Sequence, residues 1–423
     1  MNTPLTLGSL FDGIGGFPYA GTFFGIQPIW ASEIEEAPIR ITKRHFPNML
    51  HLGNILHIHG GEIPPVDIIT GGSPCQNLSS AGLQAGINLQ CPKCKHLESP
   101  YSGTTICPEC GTPLSLTDSG LFLHQVRIIK EMRKATNGKY PKILVWENVL
   151  AARNSNNGDD FYCVLKELCG LMGDELTSTR PEKWSAAGEI MADTYSVAWR
   201  TLDAQYWGVP QRRRRIFLVA DFAGHRARNI LFKQESLRRH HPQSFYPWQK
   251  TPTKTSRCID STDKPLAVAT QQVNAEICED LSPTITAANG TSGSNRIYVV
   301  INPKQTHIYR IGSFASNSMK SDNPHSGIYE TDICPTLDCN GGNPVCNQGG
   351  NVIVNDVDNS YEKSTDSIVR RLTPLECERL QGFPDGWTEG ETDSARYKAL
   401  GNSVAIPCVA YIMNGIVDEL DTE

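Results

Sequence analysis

The chain begins with an apolar stretch that runs directly into a glycine-rich turn. Leu5 to Phe11 is followed by Asp12-Gly13-Ile14-Gly15-Gly16. We predict a buried strand, a tight turn and a helix over Phe17 to Phe24, because glycines let a ligand approach the helix that follows. A second apolar strand, Gln27 to Ala31, ends at Ser32-Glu33. This order is typical of a doubly wound α/β fold, in which an acid at the position of Glu33 binds a ribose diol. An exposed helix cap explains Glu33 equally well.

A cysteine stands just beyond another strand of this kind. The β-branched run from Val66 to Thr70 is ended by Gly71-Gly72, and Ser73-Pro74-Cys75 follows. Ligands of doubly wound folds bind beyond the carboxyl ends of the strands, so this placement suits a reactive thiol. A lone cysteine at a strand end is more often a small packed hydrophobic residue, and the local pattern does not separate the two.

A carboxylate is expected at the same edge of the sheet. Lys142 to Trp146 has the apolar character of a buried strand and ends at Glu147-Asn148-Val149. The carboxyl ends of parallel strands share one edge, so Glu147 would lie near Cys75. The alternative for Glu147 is a helix cap, which the polar residues after it favour.

Four cysteines form the sharpest local pattern. Cys91-Pro92-Lys93-Cys94 and Cys107-Pro108-Glu109-Cys110 are two Cys-x-x-Cys pairs separated by twelve residues. Four thiolates at this spacing suit a tetrahedral structural Zn²⁺ with no ligand position open for catalysis. A redox dithiol would need one pair. The segment is too short to bury a core, so we predict that the metal supplies its folding energy.

Composition limits the class of protein. With 423 residues the chain is long enough for two or three domains. It has no apolar run of the length that spans a bilayer, and Met1 to Leu10 lacks the features of a signal peptide. We therefore expect a cytoplasmic protein with no membrane partner, whose 14 cysteines are free thiols or metal ligands rather than disulfides.

A local excess of positive charge stands out against the net charge of −6. Between Arg212 and His240 there are nine Lys or Arg and two Asp or Glu. We expect this stretch to line a groove that attracts a nucleic-acid backbone, although a solvated basic face is the usual meaning of such a run. Tyr195 to Asp203 and Arg215 to Asp221 have the character of strands. Because alternate strand residues face opposite sides, Arg213 and Arg215 would share one face.

Taken together and in order, short blocks resemble the signature motifs of DNA (cytosine-5) methyltransferases of the prokaryotic or phage modification type. The blocks are Phe11 to Gly16, Pro74-Cys75-Gln76, Glu147-Asn148-Val149, Gln211 to Arg215, Arg371 to Pro384, and Gly401-Asn402-Ser403-Val404. The resemblance covers about residues 5–220 and 366–415. It implies the doubly wound α/β methyltransferase sheet and an enzyme that methylates carbon 5 of cytosine in a specific duplex DNA sequence.

The resemblance also implies a covalent mechanism. In this family a cysteine thiolate, here Cys75, adds to carbon 6 of a cytosine flipped out of the helix, and carbon 5 then attacks the methyl group. Glu147 would hold ring nitrogen 3 and the exocyclic amine, and Arg215 the ring carbonyl oxygen. Arg213 would hold the surroundings of Cys75 or a phosphate. A base, for which a water molecule would serve, removes the carbon 5 proton before the cysteine leaves.

The implied cofactor is S-adenosylmethionine. Phe11 would stack on its adenine, Glu33 would bind the ribose hydroxyls, and Asn54 with Ile55 would contact the adenine edge. The other implied contacts come from the glycine-rich loop and from residues that complete the site: Asp12, Gly13, Ile14, Gly16, Ile34, Pro74, Leu121, Asn402 and Ser403. Two positions depart from the family pattern, since Asn54 stands where many relatives have aspartate and Ile34 where some have tryptophan.

The implied domain organisation has three parts. A catalytic domain covers residues 1–221, a smaller, loop-rich target recognition domain covers 222–366, and residues 367–423 return to the catalytic domain. The zinc ribbon, residues 88–113, interrupts the loop that closes over the flipped base in this family. We expect the ribbon either to contact DNA beside the target or to stabilise a long loop.

Three other functions would suit parts of this sequence. A tRNA cytosine-5 methyltransferase shares the catalytic set, but the loop-rich segment 222–366 suits duplex reading better. A catalytically silent DNA-binding relative is disfavoured by the intact catalytic set, and a zinc-dependent deaminase would need an open metal position. The expected partner is duplex DNA, a restriction endonuclease of the same system is a possible second partner, and the chain is expected to be a monomer.

Overall fold

The computed structural model describes residues 3–74, 88–98, 102–117, 119–176, 178–233 and 373–421, together with seven strands between residues 266 and 371. The chain divides into two compact units. The first comprises Met1–Asp203, Arg214–Pro242 and Cys408–Glu423. The second comprises Ala204–Arg213 and Gln243–Pro407.

The first unit is built on an eight-stranded sheet with the order β3-β2-β1-β4-β8-β11-β10-β9. The strands of this unit are β1 (Thr6–Leu10), β2 (Gln27–Ser32), β3 (Leu50–His51), β4 (Ile68–Gly71), β5 (Leu89–Gln90), β6 (Leu97–Glu98), β7 (Ser115–Leu116), β8 (Ile143–Val149), β9 (Ala187–Met191), β10 (Ser196–Asp203) and β11 (Arg214–Asp221). From β3 to β8 neighbouring strands are parallel, whereas β11, β10 and β9 are antiparallel to their neighbours. The order reverses between β1 and β4, which is where a doubly wound sheet binds its ligand. The predicted fold class is confirmed.

The described residues of the first unit before residue 233 form five α-helices. They are α1 (Gly16–Thr22), α2 (Glu36–His45), α3 (Phe122–Ala135), α4 (Asp159–Gly170) and α5 (Ala227–Leu231), with short 3-10 helices at Ile55–His57, Leu150–Arg153 and Ser155–Gly158. Of these, α1, α2 and α3 lie between successive parallel strands of the large sheet. The turn before α1 requires glycine for two reasons. Gly15 has a φ of 79°, and a side chain there would start 2.9 Å from the ring of Phe46.

An aromatic cluster fixes β8 in the core. Trp146 meets Phe122 of α3 edge-on at 5.9 Å between ring centroids and stacks on Phe161 of α4 at 6.4 Å. Each such buried side chain contributes about 1.5–3 kcal/mol to folding. Because Glu147 follows Trp146 directly, the same packing holds Glu147 at the strand end. The two helices bury the following further residues on this face: Val126, Ile129, Val164, Leu165 and Leu168.

The cysteine-rich segment forms a small sheet of its own with the order β6-β5-β7. Its ends are joined by a hydrogen bond from the Thr117 amide to the Asn88 carbonyl, 2.9 Å. The ribbon therefore runs from Asn88 to Thr117 and includes β7, so the predicted end at residue 113 was too early.

The second unit contains two antiparallel sheets. Their strands are β12 (Leu266–Ala269), β13 (Glu276–Glu279), β14 (Ile297–Val300), β15 (Thr306–Ile311), β16 (Ile328–Thr331), β17 (Gly350–Asn355) and β18 (Val369–Arg371). The sheet orders are β13-β12-β14-β18 and β16-β15-β17. Helices α6 (Pro374–Gln381) and α7 (Asp393–Asn402) follow, and α8 (Ile406–Leu420) carries the chain into the first unit from Cys408.

The compact units divide the chain at positions other than the predicted domain boundaries. Residues 222–233, including α5, belong to the first unit, and Ala204–Arg213 belongs to the second. Arg213 lies outside β11, whose first residue is Arg214, so strand alternation does not place it on the face of Arg215. The edge strands β3 and β9 escaped prediction, because β3 is two residues long and β9 has no fully buried residue.

Candidate active site

The loop after β1 is held to the end of β2. The Asp12 amide donates to the Ser32 carbonyl at 3.0 Å, and Phe11 adopts a φ of 53° just before it. A left-handed conformation is uncommon for a bulky residue and marks a position that the surrounding structure enforces. Gly13 has a φ of 58° and no atom within 4 Å of where a side chain would begin, so the loop leaves open space at the strand end.

Glu33 connects the loop after β1 to the loop after β2. Its carboxylate accepts hydrogen bonds from the amides of Gly13 (2.8 Å), Ile34 (2.7 Å) and Glu35 (2.9 Å). Glu33 therefore lies beside the glycine-rich loop and also holds the turn that precedes α2. The Ile34 side chain is 65% exposed and available for contact.

Buried polar groups without partners lie at the point where the strand order reverses. Ser9 of β1 and Thr70 of β4 are opposite in register, and neither buried hydroxyl has a hydrogen-bond partner among the described residues. The same holds for both carboxyl oxygens of Asp12. Burial raises the pKa of Asp12 to about 8, and the charge of Glu33 adds to the shift. The nearby Ser9 hydroxyl opposes the shift, although it does not reach hydrogen-bond geometry with the carboxyl group. Open polar groups in a ligand crevice suit a polar cofactor.

The next predicted contacts follow β3 and precede α3. The Asn54 side chain accepts from the Leu56 amide at 3.0 Å and caps the 3-10 helix Ile55–His57. Ile55 is buried, and its carbonyl accepts from Arg127 of α3 at 3.1 Å. Leu121 is partly buried at the start of α3. These three residues lie in the first unit, on elements that flank the carboxyl edge of the sheet.

The backbone that leads to Cys75 is anchored from β8. Asn148 is buried, and its side-chain amide donates to the Ser73 carbonyl at 3.2 Å and to the Ser73 hydroxyl at 3.3 Å. The Trp146 indole also donates to that hydroxyl, at 3.4 Å. Pro74 is the last described residue before the gap, and Cys75 itself lies outside the described residues. Sequence reasoning gave Asn148 and Ser73 no role, although Asn148 belongs to one of the signature blocks.

A carboxylate and a guanidinium meet beside this anchor. Glu147 Oε1 is 3.2 Å from Arg215 Nε, with side chains 13% and 17% exposed. The antiparallel register pairs Phe217 with Glu147 and Arg215 with Val149, so both charged side chains share one face of the sheet. A side chain at Gly72 would begin 3.1 Å from Glu147 Oε2. Glu147 therefore lies against the backbone three positions before Cys75.

Arg213 has a different environment, within the second unit. It is buried, and its guanidinium donates to the carbonyls of Gly401, at 3.1 Å, and Ser403. Asn402 is exposed between them. Arg213 thus fixes the backbone of the block that supplies Asn402 and Ser403, a role that local sequence patterns do not indicate.

Most of the described cations between Arg212 and Lys233 are engaged. Arg226 forms a buried ion pair with Asp221 at 2.8 Å, and Arg228 pairs with Glu189 at 2.9 Å. Lys233 pairs with Asp418. Arg213 and Arg215 also have partners. The number of Lys and Arg residues in this stretch therefore overestimates the positive charge that it presents at the surface. Arg238 and Arg239 lie outside the described residues.

The four cysteines of the ribbon form one cluster. All four sulfur atoms lie within 4.8 Å of one another, and three of the separations are 3.4, 3.5 and 3.6 Å. Sulfurs about 2.3 Å from a tetrahedral zinc ion would be about 3.8 Å apart, whereas a disulfide is about 2.05 Å long. Each Cys-x-x-Cys pair makes the same turn, with Lys95 and Gly111 in left-handed conformations at equivalent positions. The predicted cluster of Cys91, Cys94, Cys107 and Cys110 could hold a metal ion.

Among the described helices, no single one is long and apolar enough to cross a membrane; one bent pair, Asp393–Asn402 with Ile406–Leu420, reaches that length and composition together.

Comparison with known proteins identifies one family and several methyltransferases. The profile of the family described as C-5 cytosine-specific DNA methylase matches residues 5–91 and 182–418. The DNA N-6-adenine-methyltransferase of Escherichia phage P1 is 27% identical over 96% of this chain, which spans 60% of that protein. Type II methyltransferase M.HhaI of Haemophilus parahaemolyticus is 23% identical over 99% of this chain and 96% of its own length. The crystal structure of S. pombe Dnmt2 methyltransferase covers 99% of both chains at 14% identity with a TM-score of 0.52, which shows a shared fold.

Proposed function

This chain belongs to the C-5 cytosine-specific DNA methylase family, and we propose that it methylates cytosine in a specific duplex DNA sequence through a covalent bond to Cys75. The observation that carries the proposal is the Glu147–Arg215 pair, which lies against Gly72 at the end of β4. Glu147 falls between the two segments that match the family, so its role rests on this geometry rather than on the match.

The family implies S-adenosylmethionine, which supplies the methyl group when bound. We assign its site to the carboxyl edge of β1, β2 and β3. Glu33 binds the ribose hydroxyls, Phe11 stacks on the adenine, and Asn54 with Ile55 contacts the adenine edge. The open polar groups of Asp12, together with the open space at Gly13, support this assignment. The remaining residues proposed from the first unit are Ile14, Gly16, Ile34, Pro74 and Leu121. Asn402 and Ser403 belong to the second unit, and their contact with the cofactor stays a prediction of the resemblance.

In the proposed mechanism Cys75 is the nucleophile, and Glu147 and Arg215 bind the cytosine ring. The Cys75 thiolate adds to carbon 6 of a flipped cytosine, and carbon 5 becomes the nucleophile that takes the methyl group. Glu147 binds ring nitrogen 3 and the amine, while Arg215 binds the carbonyl oxygen, so charge that develops on the ring meets fixed partners. Loss of the carbon 5 proton to a base and departure of the cysteine complete the reaction. Arg213 acts as a positioning residue for the Gly401–Ser403 backbone.

For the ribbon we propose a structural Zn²⁺ and a stabilising role. Four thiolates and Zn²⁺ carry a net charge of −2, and Lys93 and Lys95 are balanced by Glu98 and Glu109 within residues 88–117. A module with this charge has no general attraction for phosphates. Of the two roles expected for the ribbon, the charge therefore favours stabilising the long loop over contacting DNA.

Segment 222–366 is proposed to read the DNA sequence. The strands β12 to β17 support a separate domain within this segment, whereas residues 222–233 belong to the first unit. The type II name of M.HhaI supports a restriction endonuclease of the same system as partner. We propose that the chain acts as a monomer.

The proposed function is tested with duplex DNA that contains 5-fluorocytosine, incubated with S-adenosylmethionine and either the native protein or Cys75→Ser. A covalent methylated adduct with the native protein alone is the expected result, since fluorine at position 5 prevents release. Nucleosides from unmodified DNA should contain 5-methyl-2′-deoxycytidine. N6-methyl-2′-deoxyadenosine, the product that the name of the phage P1 relative suggests, would overturn the proposal. Transfer to tRNA instead of DNA would do the same.

A further inference from the structure

Two arginines come together where β8 ends and β11 begins. Arg215 is opposite Val149, the last residue of β8, and the chain then enters the 3-10 helix Leu150–Arg153, which packs on β11. Side chains three residues apart eclipse in a 3-10 helix, so Arg153 lies above Leu150 at the start of β11. Arg214, the first residue of β11, is exposed there. Burial and the charge of Arg214 both lower the pKa of Arg153, as expected for neighbouring cations.

Two nitrogen atoms of the Arg153 guanidinium have no hydrogen-bond partner among the described residues. They are Nε and Nη1, and both are buried. The buried hydroxyl of Ser155, two residues further on, has no partner among those residues either. Leaving buried donors unpaired costs stability, and the cost is larger for a charged group. An arrangement of this kind is typical of a binding site whose ligand supplies the missing acceptors.

The missing acceptor is not a carboxylate of the described chain. Neither Arg153 nor Arg214 forms an ion pair with a described residue, including Asp203, the register partner of Arg214. The nearby carboxylate of Glu147 is engaged by Arg215. Two neighbouring guanidinium groups present the donors that a phosphate requires, namely a planar fork and several N–H groups for its oxygens.

We propose that Arg153 and Arg214 bind one backbone phosphate of DNA beside the target cytosine. The proposal rests on the proposed DNA substrate and adds to it a site outside the catalytic set. Arg153 and Arg214 lie where β8 ends and β11 begins. Arg214 precedes Arg215 in the strand and so faces the opposite side of the sheet, which places the phosphate contact at this end of the strands and not on the face of the Glu147–Arg215 pair. The two arginines contribute to DNA affinity and to its salt dependence, not to the chemical step.

The test compares Arg153→Gln, Arg214→Gln and the double variant with Arg40→Gln, which removes an exposed cation from α2. Affinity for duplex DNA is measured at several salt concentrations. Each phosphate contact on B-DNA contributes about 0.9 to the slope of log K against log salt. If both arginines are needed to hold one phosphate, each single variant and the double variant should reduce the magnitude of this slope by the same amount, about 0.9. The methylation rate at saturating DNA should not change.

Several results would overturn this site. If the Arg153 and Arg214 variants have the same slope as Arg40→Gln, the proposed site is wrong. If the double variant changes the slope by the sum of the two single changes, the two arginines do not share one phosphate. A lower melting temperature for Arg153→Gln would indicate a structural role, whereas removal of an unpaired buried charge should not destabilise the fold. Native protein that binds DNA with the expected slopes but transfers no methyl group would refute the proposed function and leave the phosphate site standing.

Discussion

The side-chain amide of Asn148 donates to both the carbonyl and the hydroxyl oxygen of Ser73, at 3.2 and 3.3 Å. These bonds tie β8 to the backbone two residues before Cys75. In Asn148→Ala the buried Ser73 carbonyl loses this donor, at a cost of about 1–3 kcal/mol. We expect the methylation rate at saturating substrates to fall about tenfold or more, with little change in affinity for S-adenosylmethionine. Ser73→Ala is the matched control, because it keeps the carbonyl bond and should be milder; equal effects would contradict this assignment.

Glu147→Gln tests the partner of Arg215. The substitution keeps the size of the side chain and removes the charge that holds the arginine and the proposed cytosine contact. We expect the rate of methyl transfer to fall about 10²-fold or more, the scale of losing one preorganised group in an active site. Glu189→Gln is the control, because Glu189 lies on β9 of the same sheet and forms an exposed ion pair with Arg228 of α5. Such pairs are worth about 0.2–1 kcal/mol, so its activity should match that of the native protein.

The metal content of the protein tests whether the ribbon binds Zn²⁺. The native protein should contain one Zn²⁺ per chain by elemental analysis, and Cys107→Ser should contain substantially less. Cys163→Ser removes a half-buried thiol outside the cluster and should retain the metal. Because the ribbon has only two-residue strands, loss of zinc should open residues 88–117 to protease while the large sheet persists. Metal-free native protein with a protease-resistant ribbon would contradict the zinc assignment.

Stability should depend on pH through Asp12. Its pKa is raised from 3.8 to about 8 in the folded chain, so between these values the folded state holds a proton that the unfolded state has released. The contribution of protonated Asp12 to the free energy of unfolding is fully present below pH 3.8. It is lost as pH rises to about 8, with a limiting slope of about 1.4 kcal/mol per pH unit. Asp12→Asn cannot ionise and should lose less stability between pH 5 and pH 8. Urea unfolding at several pH values measures this, and parallel curves for the two proteins would contradict it.

Much of the first unit was predictable because its signals are local. The strands at β1, β2, β4, β8, β10 and β11 are short apolar runs, and the glycines after β1 are required by backbone conformation at Gly15. The spacing of the four cysteines likewise predicted a cluster that the fold assembles. The strand ends placed Glu33, Glu147 and the approach to Cys75 on one edge, because parallel strands end together.

What the sequence by itself determined was therefore which elements form and which residues stand at their ends. Only the tertiary structure decided how charges and polar groups are paired, because a pair depends on strand register and on packing between distant segments. Arg226 and Arg228 belong to the same basic run as Arg214, yet Asp221 and Glu189 neutralise the first two. Arg213 is two residues from Arg215, yet it binds the backbone of Gly401 and Ser403, almost 190 residues away along the chain.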